Sequence, residues 1–119
     1  MFGEVVRTPA GAYVRCAPQG GIISQEQDLL DLLACCGELD SNRVLLDEVH
    51  LHPDFFDLST GLAGVVLQKF ANYHVKAAIV ADLDGIKSKR FRELAGECNR
   101  SDQFHFFRSL AEAEQWLTA

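Results

Sequence analysis

Most of the residues in this chain that can do chemistry fall between Asp47 and Leu62, and a pair of hydroxyls leads them. Ser59-Thr60-Gly61-Leu62 opens an apolar helical pattern. A Ser or Thr at such a start accepts a hydrogen bond from a backbone N–H that the helix leaves unpaired, worth ~1 kcal/mol. The same place suits a phosphoryl group, because free N–H groups and the helix dipole stabilise an anion. A phosphate added there would reorganise the loop electrostatically. Plain capping accounts for the two residues, and so does a partner-facing switch at Thr60 or, second to it, Ser59.

Two further constellations lie close by. His50, His52 and Asp54, together with Glu48, alternate at period two, which on an extended segment puts imidazole and carboxylate on one face, as a divalent metal requires. Pro53 interrupts regular extension and no distant further ligand stands out, so an exposed polar loop explains the same residues. The second group is acidic, with Asp47 and Glu48 ending one apolar run and Asp82 and Asp84 following the next. If the runs are neighbouring strands, these carboxylates converge as a magnesium site or an acid/base pair would need. Turn and helix capping is the alternative, and Asp84-Gly85 is a turn dipeptide. Phe55 and Phe56 are adjacent rings in a polar loop. Either both tuck under it, or one stays exposed as an anchor for a protein partner, an apolar ligand or a second copy in a symmetric dimer.

These residues need elements to position them. Val44-Leu45-Leu46 within Arg43 to Val49, and Val75 to Ala81, are short continuous apolar runs of the kind found in strands buried on both faces. Between them the loop from His50 to Asp57 leads to a helix from about Thr60 to Tyr73, with Leu62, Val66 and Phe70 at steps of four beside Ala63 and Leu67. Strands joined by a helical crossover lie parallel and adjacent, and open α/β sheets place ligands at the carboxyl edge. Gly64 inside the helix costs about 1 kcal/mol against Ala, which predicts close approach of helix to sheet.

The remaining elements fall around this unit. Glu4 to Arg7 and Ala12 to Cys16 flank Thr8-Pro9-Ala10-Gly11, a hairpin pattern, and Pro18-Gln19-Gly20-Gly21 reads as a loop. Ser24 with Gln27 makes a capping box before an apolar stripe through Leu29, Leu30, Leu32, Leu33 and Cys36 that ends at Gly37. A third helix runs from Ser88 through Phe91, Leu94, Ala95 and Cys98, Gln103 to Phe107 is strand-like, and Ser109 with Glu112 opens a last helix. The expected order is ββαβαβαβα: a mixed, mostly parallel sheet with helices packed on it, as one domain over residues 1–119.

Composition narrows the function. The chain has 119 residues, 48% of them hydrophobic, so folding buries roughly 65% of the surface the unfolded chain exposes and a core forms without staples. A net charge of −6 argues against a surface built for nucleic acid or anionic membranes. The one basic cluster, Lys87, Lys89, Arg90 and Arg92, reads as the solvated face of a helix. Cys16, Cys35, Cys36 and Cys98 lack metal-ligand spacing and read as small buried hydrophobes of a reducing cytoplasm. No signal pattern opens the chain, no apolar run approaches the ~20 residues of a membrane span, and a cytoplasmic location is expected. Nucleophile elbow, P-loop and dinucleotide fingerprint are all missing, and no cofactor is implied.

Two family resemblances rest on these residues. The stretch Phe55-Phe56-Asp57-Leu58-Ser59-Thr60-Gly61-Leu62-Ala63-Gly64-Val65-Val66-Leu67-Gln68-Lys69-Phe70, followed by Val75 to Val80, resembles an uncharacterised bacterial family, domain-of-unknown-function family 4180. That family has no established activity. Strand, loop and Ser59-Thr60-Gly61-Leu62 before an amphipathic helix also resemble the STAS domain, the anti-sigma-factor-antagonist fold, whose motif is Asp-Ser-Ser-Gly-Leu. In that family a partner kinase phosphorylates the second serine, and the resemblance places Thr60 there and Ser59 on the serine before it. Leu58 stands where that motif has its aspartate, and Asp57 lies one residue early. Together the readings lead to a STAS-like, non-enzymatic regulatory or protein-interaction module, acting through Phe55, Phe56, Asp57, Ser59, Thr60 and Gly61. The alternatives are a small-molecule or lipid-binding domain, with a pocket between the second and third helices, and a metal-assisted enzyme using His50, His52 and Asp54.

Overall fold

Among the described residues, five strands form one sheet whose order in space repeats their order in the chain. The computed structural model describes residues 3–16 and 22–119, so the Pro18 to Gly21 loop reading lies outside it. Strands β1 (Gly3–Thr8) and β2 (Gly11–Cys16) make the expected hairpin around Pro9 and Ala10. Thr8 closes it, its Oγ1 donating to Gly11 O at 2.7 Å and accepting from Gly11 N. Strands β3 (Arg43–Asp47), β4 (Lys76–Val80) and β5 (Phe104–Phe107) then add in parallel, each after a helix: α1 (Glu26–Glu38), α2 (Leu62–Asn72) and α3 (Lys89–Cys98). The last helix, α4 (Leu110–Leu117), follows β5. The architecture is mixed α/β with a mostly parallel sheet.

Because a strand's side chains alternate between faces, one sheet presents two different cores. Val14, Val44, Leu46, Ala77, Ile79, Phe104 and Phe106 point to the side covered by α1, α2 and α3 and are buried there with Leu29, Leu32, Val66, Phe70 and Phe91. Tyr13, Leu45 and Ala78 point to the other side, where α4 contributes Ala113 and Leu117. Tyr13 Oη donates to Glu114 Oε2 at 2.6 Å, and Lys76 Nζ donates to Trp116 O at 3.0 Å while sitting over the Trp116 ring, so β2 and β4 both hold α4 down.

The helix boundaries correct several expectations. The cap of α1 is Gln25, and Asp28, three residues on, accepts from the N–H groups of Ser24 and Gln25 and from the Ser24 hydroxyl, in place of the Ser24–Gln27 box. Those donors hold the Asp28 carboxyl below its ordinary range, the Ser24 N–H contributing most. Gly37 lies inside α1, which is ended by Asp40 in the left-handed region at φ 54°. Helix α2 ends the same way at His74, φ 55°, where Val75 N returns to Phe70 O at 2.9 Å. Gly64 is exposed, and a Cβ built on it meets nothing within 4 Å, so close helix-to-sheet approach does not explain it. Strand β3 stops at Asp47 because Glu48–His50 curls into a 3₁₀ turn.

Candidate functional site

The loop joining β3 to α2 is built from consecutive 3₁₀ turns, Glu48–His50, Pro53–Phe56 and Leu58–Thr60. Pro53 suits the first position of its turn, where no N–H is needed, and His52 caps it by accepting Asp54 N on Nδ1 at 3.0 Å. Asp57 caps the next turn, its Oδ1 accepting Ser59 N at 3.0 Å and the Ser59 hydroxyl at 2.7 Å. The Ser59 hydroxyl, then its N–H, hold the Asp57 carboxyl below its ordinary range.

Thr60 does more than cap. Its hydroxyl donates to Asp54 O at 2.6 Å and to Asp57 O at 2.9 Å, and accepts from Leu62 N at 3.3 Å. A hydroxyl has one proton, so the two carbonyls share it. That proton ties the Pro53–Phe56 turn to the Leu58–Thr60 turn. Helix α2 begins at Leu62, two residues later than the sequence pattern gives, because Gly61 adopts φ 79° and takes the cap position without a side chain to offer. Thr60 and Ser59 remain exposed.

The rings of the loop face inward. Phe55 is fully buried and Phe56 half-buried; their centroids are 5.2 Å apart, and both meet Phe91 of α3 edge-on, Phe56 at 5.2 Å and Phe55 at 5.7 Å. Phe55 is thus unavailable as an anchor, while Phe56 keeps part of its ring at the surface. Phe91 continues the contact to Phe106 of β5 at 5.7 Å, so the loop is pinned to core by aromatic edges.

The histidine set does not assemble. Curling of Glu48–His50 and Pro53–Phe56 breaks the period-two face: His50 turns inward near Asp47, whereas His52 and Asp54 stay at the surface, 3.6 Å apart. The carboxylates at the strand ends are each committed separately. Asp47 takes Arg15, Glu48 Oε2 accepts Asp82 N at 3.2 Å, Asp82 Oδ1 accepts Asp84 N, and Asp84 pairs with Arg108 at 2.6 Å. Among the described residues no group of three or more His, Cys, Asp or Glu is placed to hold a metal ion.

Two cavities border the elements around this loop. One of about 580 Å³ opens at the carboxyl ends of the strands, between Arg15, Asp47, His50 and Val80. Sequence reasoning missed Arg15 as a member, although its alternation with Tyr13 places it on the sheet face that Asp47 shares. The other, about 290 Å³, is an apolar groove between α2 and α3 lined by Leu67, Phe70, Leu94 and Phe104. Cys16 borders the first and Cys98 the second. All four cysteines are free, and burial pushes the Cys16 and Cys36 thiols up to about 12, which leaves them protonated and unreactive at neutral pH. Lys87, Lys89, Arg90 and Arg92 are exposed at the start of α3. No described helix is long and apolar enough to cross a membrane.

A family model described as a domain of unknown function, DUF4180, matches residues 9–117. The chain belongs to this family. The DUF4180 match runs from the β1–β2 turn to the end of α4, so the latched loop and the groove between α2 and α3 lie within it, whereas Glu4 of the first cavity precedes it. Neither the curated proteins nor the solved structures contain a match to the chain.

Proposed function

We propose that this DUF4180 domain is a non-enzymatic regulatory module of STAS-like kind, recognising a protein partner through the loop from Phe56 to Gly61 and switched by phosphorylation of Thr60. The observation that carries the reading is the Thr60 hydroxyl. Its proton bridges the carbonyls of Asp54 and Asp57 from an exposed position. Transfer of a phosphoryl group to Oγ1 removes that proton and sets anionic oxygens against two carbonyl oxygens, so the tie between the two turns is lost. The same group lies beside the start of α2, whose cap residue offers no side-chain acceptor, and the first-turn N–H groups supply its new partners. Gly61, already left-handed, is the pivot. Ser59 is the weaker acceptor, because its hydroxyl is held by the Asp57 carboxylate. Phe55 serves as the buried foundation of the loop. The module works in a bacterial cytoplasm, whose reducing conditions suit four free cysteines.

The test is phosphoryl transfer in an extract of the native host supplied with ATP. Intact mass gains one phosphoryl group in the wild type and in Ser59→Ala, but not in Thr60→Val. No gain in any of the three rejects the switch. Light scattering before and after transfer reads whether the partner is a second copy.

The groove of about 290 Å³ between α2 and α3 favours a second reading, an apolar small-molecule or lipid site, since its volume sits at the lower end of ligand pockets. Native mass spectrometry of freshly purified protein would show a retained ligand.

A further inference from the structure

Away from the latched loop, the cavity of about 580 Å³ at the strand carboxyl ends has a chemistry of its own. It lies on the sheet face that α4 shares, yet no residue of α4 lines it. At its floor Arg15 gives Nε and Nη2 to Asp47 Oδ2, both at 3.1 Å, so the guanidinium is neutralised before any ligand arrives. Beside this pair stands His50, 7% exposed, whose backbone is fixed because Ile23 N donates to His50 O at 2.8 Å. His50 Nδ1 is buried with no hydrogen-bond partner among the described residues, and its approach to Asp47 Oδ2, 3.8 Å, is beyond hydrogen-bond reach. A buried polar atom left unpaired is costly, and a ligand group that satisfies it gains accordingly.

The lining fixes the sign of that ligand. Among the described lining residues Glu4, Asp47 and Glu48 stand against Arg15 alone, so the cavity carries excess negative charge; Glu4 and Glu48 are exposed, and Glu48, whose Oε2 already accepts Asp82 N, keeps Oε1 for a ligand. Two acceptors 3.8 Å apart are bridged by one ammonium group at about 2.9 Å from each. Val49 and Val80 offer apolar wall between floor and rim.

We infer that this cavity binds a small aliphatic diamine, one ammonium between His50 Nδ1 and Asp47, the methylenes along Val49 and Val80, and the other ammonium at Glu4 and Glu48. The claim is independent of Thr60.

Titration calorimetry at low ionic strength, with putrescine as probe and succinate as an anion of matching length, tests it. Saturable putrescine binding is expected, about tenfold weaker in the double variant Glu4→Gln/Glu48→Gln, with no succinate binding. Both substituted residues are exposed, and circular dichroism confirms the variant's fold. In the wild type, putrescine also moves the His50 imidazole nitrogen resonances. No putrescine heat, equal affinity in the double variant, or preference for succinate overturns the assignment.

Discussion

At the residue scale, one proton on Thr60 holds two carbonyls, which makes the hydroxyl a structural member and a modifiable group at once. Thr60→Val keeps the shape and removes the donor, so it should lower stability by about 1 kcal/mol, the net worth of such a bond at a surface. Thr60→Ser keeps the donor and should lose less than half of that. Urea midpoints of the three proteins measure the difference. The hydroxyl was legible in the sequence as a helix-start residue. Its partners were not, because Asp54 O and Asp57 O reach it only through 3₁₀ turns that no periodicity announces. The same turns explain why His50, His52 and Asp54 read as a metal face and fold apart.

At the scale of elements, two glycines three residues apart have opposite roles. Gly61 sits at φ 79°, so Gly61→Ala forces an L-residue into the left-handed region at a cost of about 1 kcal/mol, although a Cβ there has open space. Gly64 is exposed and helical with nothing in the way, and Gly64→Ala should raise stability by about 1 kcal/mol. Thermal denaturation of the two variants gives shifts of opposite sign if the reading is right. Pattern alone located every helix but misplaced ends. It marked Gly37 as a terminator because glycine is the usual left-handed residue, whereas Asp40 and His74 accept that conformation and leave no glycine to read.

At the scale of the molecule, sequential strand order puts three crossover helices on one face and leaves α4 alone on the other. The apolar runs of β3 and β4 made the parallel centre readable. The carboxyl edge was legible as a place for ligands, whereas the pairing of Arg15 with Asp47 there needs β2 beside β3, a neighbour relation the sequence pattern does not give. Tyr13 joins that sheet to α4, and burial, helped by the Glu114 hydrogen bond and charge, pushes its hydroxyl up to about 12 from 10.0. A raised folded pKa means that Tyr13 contributes its full stability below pH 10 and loses it as pH climbs to about 12. Urea midpoints across that window should fall for the wild type and fall less for Tyr13→Phe.

The central claim is that the loop can be released while the sheet stays intact, and an amide exchange map of the whole chain with phosphothreonine installed at position 60 tests it most directly. The account predicts faster exchange at Asp57, Ser59, Thr60 and Gly61, whose amides now donate within the latched turns, with β3 and β4 unchanged. Unchanged protection across that segment would contradict it.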